Sequence, residues 1–505
     1  MLHSDGEFEP AKKRLSMIKE KKGSETMKNH LYQLMLLCAI LGSFSNHLIS
    51  EDHESKPNII IIHADDLGYH DVGFNGATFY KTPNIDQLCQ SGMKFTRAYS
   101  AGPNCAPTRA SLVSGMYTPR HQIWTPGGAS KGKIEYMKNH VPVRMPQKMA
   151  GPPNFVSNTK LSPSVVSIAE VLNKAGYKTA RFGKWHLGED LQGFHVSDQN
   201  GKGDTSQKNY YGNIDVHESL TDASIDFIKQ NKEGPFFLYL NHWDVHTPIR
   251  ARGKVVKKYQ AQLDTKKWDR QWNPTYAAMI EAVDTSVGRI QRALKESKLS
   301  KKTLVIFTSD NGGVSGITTN NPLKGGKGGL YEGGVRVPTC MSWPGKISPG
   351  SECDTPIISV DFMPTFADLA SAPLPKNQPV DGVSFLPLLK EKPLSERSIF
   401  WHYPMYLKGR GEDLVFPIHG SDKMYWRGVP SSMIVRGDWK MIQLFEDNST
   451  LLYHLGKDPR EENDCSASHP VVLSDLKAQL ELWQKKTKAL IPNLPNPRFT
   501  GLKSE

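Results

Sequence analysis

Chemically capable side chains follow several apolar runs of this 505-residue chain, at the point where each run ends. Ligands of open α/β sheets bind beyond the carboxyl ends of the strands, so we expect these side chains to meet in one crevice. A single polar residue at a strand end would mean little, but five such segments indicate a shared site. In chain order they are Asp65 with Asp66, the segment around Cys105, Lys184 with His186, His246, and Asp310 with Asn311.

Four of these residues offer hard oxygen donors: Asp65, Asp66, Asp310 and Asn311. Adjacent carboxylates repel each other unless a cation neutralises them, and carboxylate and amide oxygens suit Ca²⁺ or Mg²⁺. The alternative is that each acid caps a turn, with Asp310-Asn311-Gly312 marking a hairpin or a helix start. Two acidic strand ends in one sheet favour the metal site over this alternative.

Cys105 lies in the segment NCAPTRASLVSG, where Pro107 marks the start of a predicted helix and Arg109 falls in its first turn. A helix N-terminus favours negative charge and lowers the pKa of a thiol, so a cysteine nucleophile is one interpretation. A buried structural cysteine, the commoner fate of a lone thiol, is another. A Cys-His-Asn hydrolase would not need two acidic metal ligands beside its nucleophile.

The elements that position these residues follow an α/β pattern. From Lys56 to about Leu389, short β-rich runs alternate with helical segments, which predicts a large mixed, mostly parallel sheet flanked by helices. One helix is predicted to start after a Ser162 N-cap, and another carries apolar residues three and four apart between 274 and 297. The chain then reads as a smaller C-terminal α+β domain with a short antiparallel sheet. We expect an N-terminal extension with signal peptide at 1–50, a catalytic domain at 51–394 and a C-terminal subdomain at 395–505.

Composition excludes disordered and collagen-like classes, since 23% of residues are charged and 38% are hydrophobic.

The long apolar run, residues 31–45, is short for a membrane span. After Met27 it has the basic start and small residues of a secretory signal. A lipoprotein anchor at Cys38 is a weaker alternative, and Met27 is an alternative start codon. We therefore expect a secreted or periplasmic protein.

The net charge of +12 is concentrated in part in two loops, residues 120–160 and 250–270, each with a net charge of +6. Such runs are usually solvated surface, but their position beside the polar strand ends favours an anionic ligand. No nucleic-acid recognition motif is present in the sequence, so nucleic acid is disfavoured as a partner. Six cysteines are too few for a disulfide scaffold, and a Cys340–Cys353 pair is left open.

Cys105-Ala106-Pro107-Thr108-Arg109 resembles the Cys-x-Pro-x-Arg signature of the type I sulfatases, members of the alkaline phosphatase superfamily. Ser114-Gly115 stands where many members have Thr-Gly, a conservative difference. The resemblance is dense over about residues 56–390 and looser over 452–465. It implies a sulfuric ester hydrolase in which a formylglycine-generating maturation enzyme converts Cys105 to formylglycine. The other matching segments are residues 64–73, 82–92, 183–188, 246–248, 309–313 and 323–338.

The resemblance also implies a ligand set and a mechanism. One divalent ion, Ca²⁺ rather than Mg²⁺, would be held by Asp65, Asp66, Asp310, Asn311 and the modified Cys105. The hydrated aldehyde would attack sulfur with one hydroxyl and expel sulfate with the second, which a plain Ser or Cys cannot do.

The remaining roles are implied in the same way. Arg109 and Lys184 would orient and polarise the hydrated aldehyde, and His186 would act on it. His246 and Lys327 would hold the sulfate, with His246 the better candidate to protonate the leaving oxygen.

A basic, secreted sulfatase suits a sulfated polysaccharide or glycosaminoglycan better than a small neutral ester. His402 and Trp426 are candidates for a sugar subsite and equally for core aromatics. Two alternatives remain: a phosphoester or phosphonate monoester hydrolase of the same superfamily, and a non-catalytic protein that binds sulfated glycans. The sequence does not indicate the sugar, the sulfate position or the oligomeric state.

Overall fold

The computed structural model describes most of the chain from residue 56 onward. The expected signal region, residues 1–50, and parts of both basic loops, 140–156 and 264–270, lie outside the described residues. In the described part of the chain, no helix combines the length and apolarity that a membrane crossing requires. The described residues are 56–127, 130–139, 157–189, 191–198, 214–263, 272–409, 416–417 and 425–500.

The described residues form strands that are numbered here in chain order. They are β1 Asn58–Ala64, β2 Met93–Phe95, β3 Ala98–Tyr99, β4 Lys178–Gly183, β5 Val196–Ser197, β6 Phe236–Asn241, β7 Thr303–Ser309, β8 Thr339–Ser342, β9 Ser351–Cys353, β10 Ile357–Ile358, β11 Ser398–Tyr403, β12 Leu407–Lys408, β13 Phe416–Pro417, β14 Tyr425–Gly428, β15 Ser431–Arg436, β16 Trp439–Leu444 and β17 Thr450–His454.

The α-helices of the same residues are numbered separately. They are α1 Pro83–Gln90, α2 Cys105–Ser114, α3 Thr118–His121, α4 Ile168–Lys174, α5 Val216–Gln230, α6 Gly253–Gln260, α7 Pro274–Glu296, α8 Glu332–Val335, α9 Phe362–Ala370 and α10 Pro470–Thr487.

The largest sheet has the order β5-β4-β6-β1-β7-β8-β2-β9. Neighbouring strands from β5 to β7 are parallel, whereas β8 runs antiparallel to both β7 and β2. Every residue of β1, β6 and β7 is buried. A strand covered on both faces needs continuous apolar sequence, which is why these strands read as unbroken runs. The mixed, mostly parallel sheet predicted from the sequence is confirmed.

Side chains alternate between the two faces of this sheet, because successive residues of a strand point in opposite directions. Ile60 and Ile62 of β1 pack in a core with α1, α5, α6 and α7. Ile59 and Ile61 pack on the other side with α2, α4 and α9. The sheet is therefore a central layer between two layers of helices.

Helix limits follow from local capping. The side-chain oxygen of Asn273 accepts the backbone N–H groups of Thr275 and Tyr276, which starts α7. Ser167 and Glu170 form a reciprocal capping box, so α4 starts at Ile168. The predicted start after Ser162 is wrong, since the hydroxyl of Ser162 instead contacts that of Ser164.

The C-terminal part forms an antiparallel sheet of order β11-β15-β16-β17 and a three-stranded sheet of order β12-β14-β13. Leu476, Leu480 and Trp483 of α10 pack on the four-stranded sheet in a common apolar core. The smaller α+β arrangement expected after residue 395 is therefore present. The described residues from Lys56 onward pack as one compact unit, and a boundary at 394/395 stays a prediction.

Candidate active site

Four adjacent parallel strands, β4, β6, β1 and β7, end at the same edge of the large sheet. The residues expected to carry chemistry come within five positions of these ends, and α2 places its first residue, Cys105, against them. The structure thus gathers the five predicted segments into one pocket.

Cys105 is fully buried at the centre of this pocket. Its Sγ lies 3.5 Å from Asp65 Oδ1 and 3.8 Å from Asp66 Oδ1. It is also 3.5 Å from Lys184 Nζ and 3.2 Å from Lys327 Nζ. Burial raises the pKa of the Cys105 thiol despite the two lysines, so the lowered thiol pKa expected from the helix N-terminus is wrong. A protonated thiol argues against an unmodified cysteine nucleophile.

Three buried carboxylates in the pocket each pair with one cation. Lys184 forms an ion pair with Asp65, and Lys327 Nζ donates to both oxygens of Asp66 at 2.6 and 2.7 Å. The third carboxylate is that of Asp310, whose Oδ2 accepts hydrogen bonds from Nε and Nη2 of Arg109 at 3.0 and 2.7 Å. The side-chain charges of these three pairs therefore balance one to one.

The three carboxyl groups nevertheless differ in their environment. Burial and the charge of Asp310 raise the pKa of Asp65 to about 7, against the opposing effect of Lys184. Burial also acts to raise the pKa of Asp66, but Lys327 and His246 outweigh it and lower that pKa to about 2. Arg109 likewise overcomes burial and holds the pKa of Asp310 well below its usual range. Asp65 is therefore the carboxylate whose negative charge is least compensated by neighbouring cations.

Arg109 ties the ends of three strands together. Besides Asp310, its Nη1 donates to the carbonyl oxygen of Lys184 at 2.8 Å and to Asn241 Oδ1 at 2.7 Å. Asn241 was not anticipated from the sequence. The available signal was its position as the polar last residue of the buried run FFLYLN.

The two predicted histidines line the same pocket. His246 Nε2 lies 3.6 Å from Asp66 Oδ2, and its Nδ1 donates to the carbonyl oxygen of Thr247. Burial and Lys184 lower the pKa of His246 to about 3, which leaves Nε2 of the neutral ring as an acceptor. His186 has a left-handed backbone, with φ of 65°. Burial and the charge of Lys184 lower its pKa well below the usual value.

The donors fit a divalent cation. Asn311 Nδ2 donates to Asp66 Oδ1 at 2.8 Å, while its Oδ1 is buried and has no hydrogen-bond partner in the described part of the chain. Such an orphaned oxygen beside carboxylates is the ligand type that Ca²⁺ or Mg²⁺ takes. Asp310 Oδ1 lies 3.1 Å from the backbone nitrogen of Asp66 and so faces the same space.

A compact ligand group can also be read from the distances alone. One ligand atom each from Asp65, Asp66, Cys105 and His246 lies within 4.8 Å of the others. This group contains His246 in place of the predicted Asp310 and Asn311. We favour the oxygen set, because Ca²⁺ and Mg²⁺ prefer oxygen ligands over imidazole nitrogen and the orphaned Asn311 oxygen needs a partner.

His402 and Trp426 are core aromatics. His402 is 2% exposed, with its ring nitrogens 2.7 Å from Ser432 Oγ and 2.8 Å from the carbonyl oxygen of Leu490. Trp426 is 1% exposed and packs against Met137 and Tyr406. Neither side chain is available to a sugar.

Cys340 and Cys353 are both free cysteines. They lie on β8 and β9, which flank β2 on opposite sides. Two strand spacings separate them by roughly 10 Å, which is too far for a disulfide.

Comparisons with known proteins place this pocket in context. Residues 57–372 match the family model described as Sulfatase, and residues 326–486 match N-sulphoglucosamine sulphohydrolase, C-terminal. A protein of Formosa agariphila named Sulfatase is 32% identical, over 86% of this chain and 88% of its own length. An N-acetylgalactosamine-6-sulfatase of Mus musculus is 28% identical, over 92% of this chain and 91% of its own length. The crystal structure of Ps i-CgsB in complex with k-i-k-neocarrahexaose matches with a TM-score of 0.65 and 28% identity. It covers 87% of this chain and 95% of that chain.

Proposed function

This chain belongs to the sulfatase family and is a sulfatase, and from this premise we propose that it removes sulfate from a sulfated polysaccharide or glycosaminoglycan. The observation that carries the proposal is the pocket around Cys105. Two lysine ammonium groups lie within 3.5 Å of Sγ, beside carboxylates suited to a cation. Such a pocket stabilises the negative charge of a sulfuryl group as its S–O bond breaks.

The carbohydrate class is supported by the relatives. One is named for N-acetylgalactosamine 6-sulfate, and another was crystallised with a neocarrahexaose. The net charge of +12 also favours a polyanionic substrate over a neutral ester.

We propose that Cys105 is converted to formylglycine by a maturation enzyme. Hydrated to a diol, the aldehyde supplies one hydroxyl that attacks sulfur and a second that releases sulfate, so water is consumed overall. A divalent cation, Ca²⁺ ahead of Mg²⁺, would be held by Asp65, Asp66, Asp310, Asn311 and residue 105, and would offset charge on the sulfuryl oxygens.

The side chains of the pocket perform the remaining tasks. Lys184 and Lys327 point N–H groups at the position of the nucleophile and hold the sulfuryl oxygens there. Arg109 fixes the strand ends that carry Lys184 and Asp310. His246 Nε2 faces the same space, and the negative charge of a bound sulfate ester favours its protonated form as the acid for the leaving oxygen. His186 acts on the hydrated aldehyde.

Mass spectrometry of the tryptic peptide that contains Cys105 tests the nucleophile. We expect formylglycine when the protein is made in a host with the maturation enzyme. Turnover of 4-nitrophenyl sulfate should exceed that of 4-nitrophenyl phosphate, and Cys105→Ala should fold and bind sulfated sugar without turnover. Faster phosphate hydrolysis would favour the phosphoester alternative. An unmodified thiol in a protein that only binds glycan would favour the binding alternative.

Secretion or periplasmic export is part of the same proposal. The N-terminal sequence of the protein recovered outside the cytoplasm tests it, because signal removal predicts a new terminus near residue 50. An intact N-terminus in the mature protein would contradict it.

A further inference from the structure

Among the described residues around the site, Arg427 is a cation without a carboxylate partner. Arg109, Lys184 and Lys327 each have a carboxylate partner. The Nε of Arg427 is buried without a hydrogen-bond partner, and its guanidinium forms no ion pair with any residue that the structure describes. A buried N–H donor without a partner is costly, so an anionic ligand oxygen that accepts from the Nε of Arg427 would be favourable.

The side chain of Arg427 is positioned by the loop that carries Lys327. Arg427 lies on β14, and Gly328 has a φ of +100° directly after Lys327. A Cβ added to Gly328 would stand 3.3 Å from Arg427 Cβ and 3.6 Å from its Cδ. The stem of Arg427 therefore runs close to the backbone beside Lys327.

The electrostatic surroundings indicate that Arg427 lies near the active site. Burial lowers its pKa, and the negative charge of Asp66 acts against this effect. The Tyr403 hydroxyl accepts a hydrogen bond from Asn104 Nδ2 at 3.4 Å, and Asn104 directly precedes Cys105. The guanidinium therefore lies near enough to Asp66 to interact with its charge, beside the pocket that holds Cys105.

Arg427 is separate from the cations that surround the nucleophile. The cations in contact with Cys105 Sγ are those of Lys184 and Lys327, and Arg427 lies outside that set among the described residues. A guanidinium presents a planar fork of donors that matches two oxygens of a sulfate or carboxylate. The C-terminal sheet therefore adds an anion-binding group next to the one that holds the scissile ester.

We infer that Arg427 forms a second anion subsite, which binds a further sulfate or carboxylate group of the substrate while the scissile sulfate occupies the Cys105 pocket. This inference rests on the proposed function and narrows the substrate to sugars that carry at least two anionic groups.

Inhibition of 4-nitrophenyl sulfate hydrolysis tests the subsite. The competitors are N-acetylgalactosamine 6-sulfate, N-acetylgalactosamine 4,6-disulfate and a disaccharide of a uronic acid with N-acetylgalactosamine 6-sulfate. For the wild type we expect the dianionic sugars to inhibit more strongly than the monosulfated one. Arg427→Ala should weaken inhibition by at least one dianionic sugar by roughly 10- to 100-fold, and by the monosulfated sugar much less. The better dianionic competitor identifies sulfate or carboxylate as the group bound.

Arg427→Lys keeps the charge but lacks the planar fork of donors. Its inhibition constants for the dianionic sugars should lie between those of the wild type and those of Arg427→Ala. Arg436→Ala is the matched control, because it removes an exposed arginine of neighbouring β15 and should leave all inhibition constants unchanged. Equal loss for all three sugars in Arg427→Ala, no preference in the wild type, or no inhibition by any of them overturns the inference. Hydrolysis of 4-nitrophenyl sulfate would still support the proposed function in each case. Absence of any sulfate ester turnover would count against the proposed function alone. The subsite would then be tested by calorimetry, which compares binding of the same sugars to Cys105→Ala and to the double variant Cys105→Ala/Arg427→Ala.

Discussion

Substitution of Lys440 by Met should destabilise the protein far more than the loss of a surface ion pair. Lys440, Glu332 and Glu461 are all fully buried. Lys440 Nζ lies 2.9 Å from Glu332 Oε1 and 2.7 Å from Glu461 Oε1. Lys440 belongs to β16, whereas Glu332 begins α8 shortly after Lys327, so this triad joins the C-terminal sheet to the active-site loop.

The magnitude follows from burial. Methionine fills a similar volume but leaves two buried carboxyl groups without a cation, and removing one partner of a buried ion pair costs about 3–5 kcal/mol. Burial raises the pKa of Glu461 to about 7 even with Lys440 present. Without Lys440, both carboxyl pKa values should lie above those of the unfolded chain. A carboxyl with a raised folded pKa stabilises below its unfolded pKa, and that stability is lost as the pH rises through the folded value. The deficit should therefore be larger at pH 8 than at pH 5.

Urea denaturation at the two pH values measures the free energy of unfolding. Lys160→Met is the control, because the Lys160–Glu189 pair has side chains 62% and 65% exposed and should contribute under about 1 kcal/mol. Adding Glu461→Gln to Lys440→Met should recover part of the loss at pH 8. A Lys440→Met deficit no larger than that of the control, or the same deficit at both pH values, would refute the reasoning.

Asp244→Asn should raise the urea midpoint at pH 8.5 and change it little at pH 5. Burial raises the pKa of Asp244 to about 7, and the stability from a raised carboxyl pKa is lost as the pH rises; a gain confined to pH 5 would contradict this. Gly328→Ala should lower kcat on 4-nitrophenyl sulfate by roughly 10-fold or more, because the new Cβ would meet Leu407 Cδ2 at 2.5 Å and displace the Lys327 loop. Gly345→Ala, with φ of +85° and open space, is the control, and equal effects would count against a steric cause. Added Ca²⁺ should stabilise chelator-treated protein, by about 2.7 kcal/mol at a hundred times the dissociation constant, and Asp310→Asn should reduce this shift. A chelated protein whose stability responds to neither Ca²⁺ nor Mg²⁺ would argue against the cation site.

Regular elements and their ends were predictable because their signals are local. The apolar face of α7, including Val283, Val287 and Ile290, repeats every three or four residues and is buried as expected. Asp65 and Asp310 follow continuous apolar runs, and parallel strands bring such ends to one edge. The position of the candidate site can therefore be predicted from hydrophobic periodicity. The roles of its residues and the identity of the metal ligands also required the resemblance to sulfatases.

Partners that are distant in the chain were not predictable. Arg109 bonds to Asn241 across 132 positions, and no local pattern specifies that contact. The pKa of Cys105 was misjudged because a helix N-terminus is visible in the sequence, while complete burial is a property of the packed fold. Trp426 and His402 have types that suit a sugar subsite, and only packing shows that they are core residues.

The one-to-one pairing of charges predicts which site residues can change without loss of stability. Replacing Lys327 removes the lysine partner of the buried Asp66 carboxylate, so Lys327→Ala should cost about 3 kcal/mol or more. Arg427 forms no ion pair with a described carboxylate, so Arg427→Ala should stay within about 1 kcal/mol of the wild type or gain stability, because a partly desolvated cation is removed. Urea denaturation of both variants decides this, and equal destabilisation would show that Arg427 has a structural partner. If the difference is found, β14 can vary its anion-binding residue without disturbing the pocket that breaks the S–O bond.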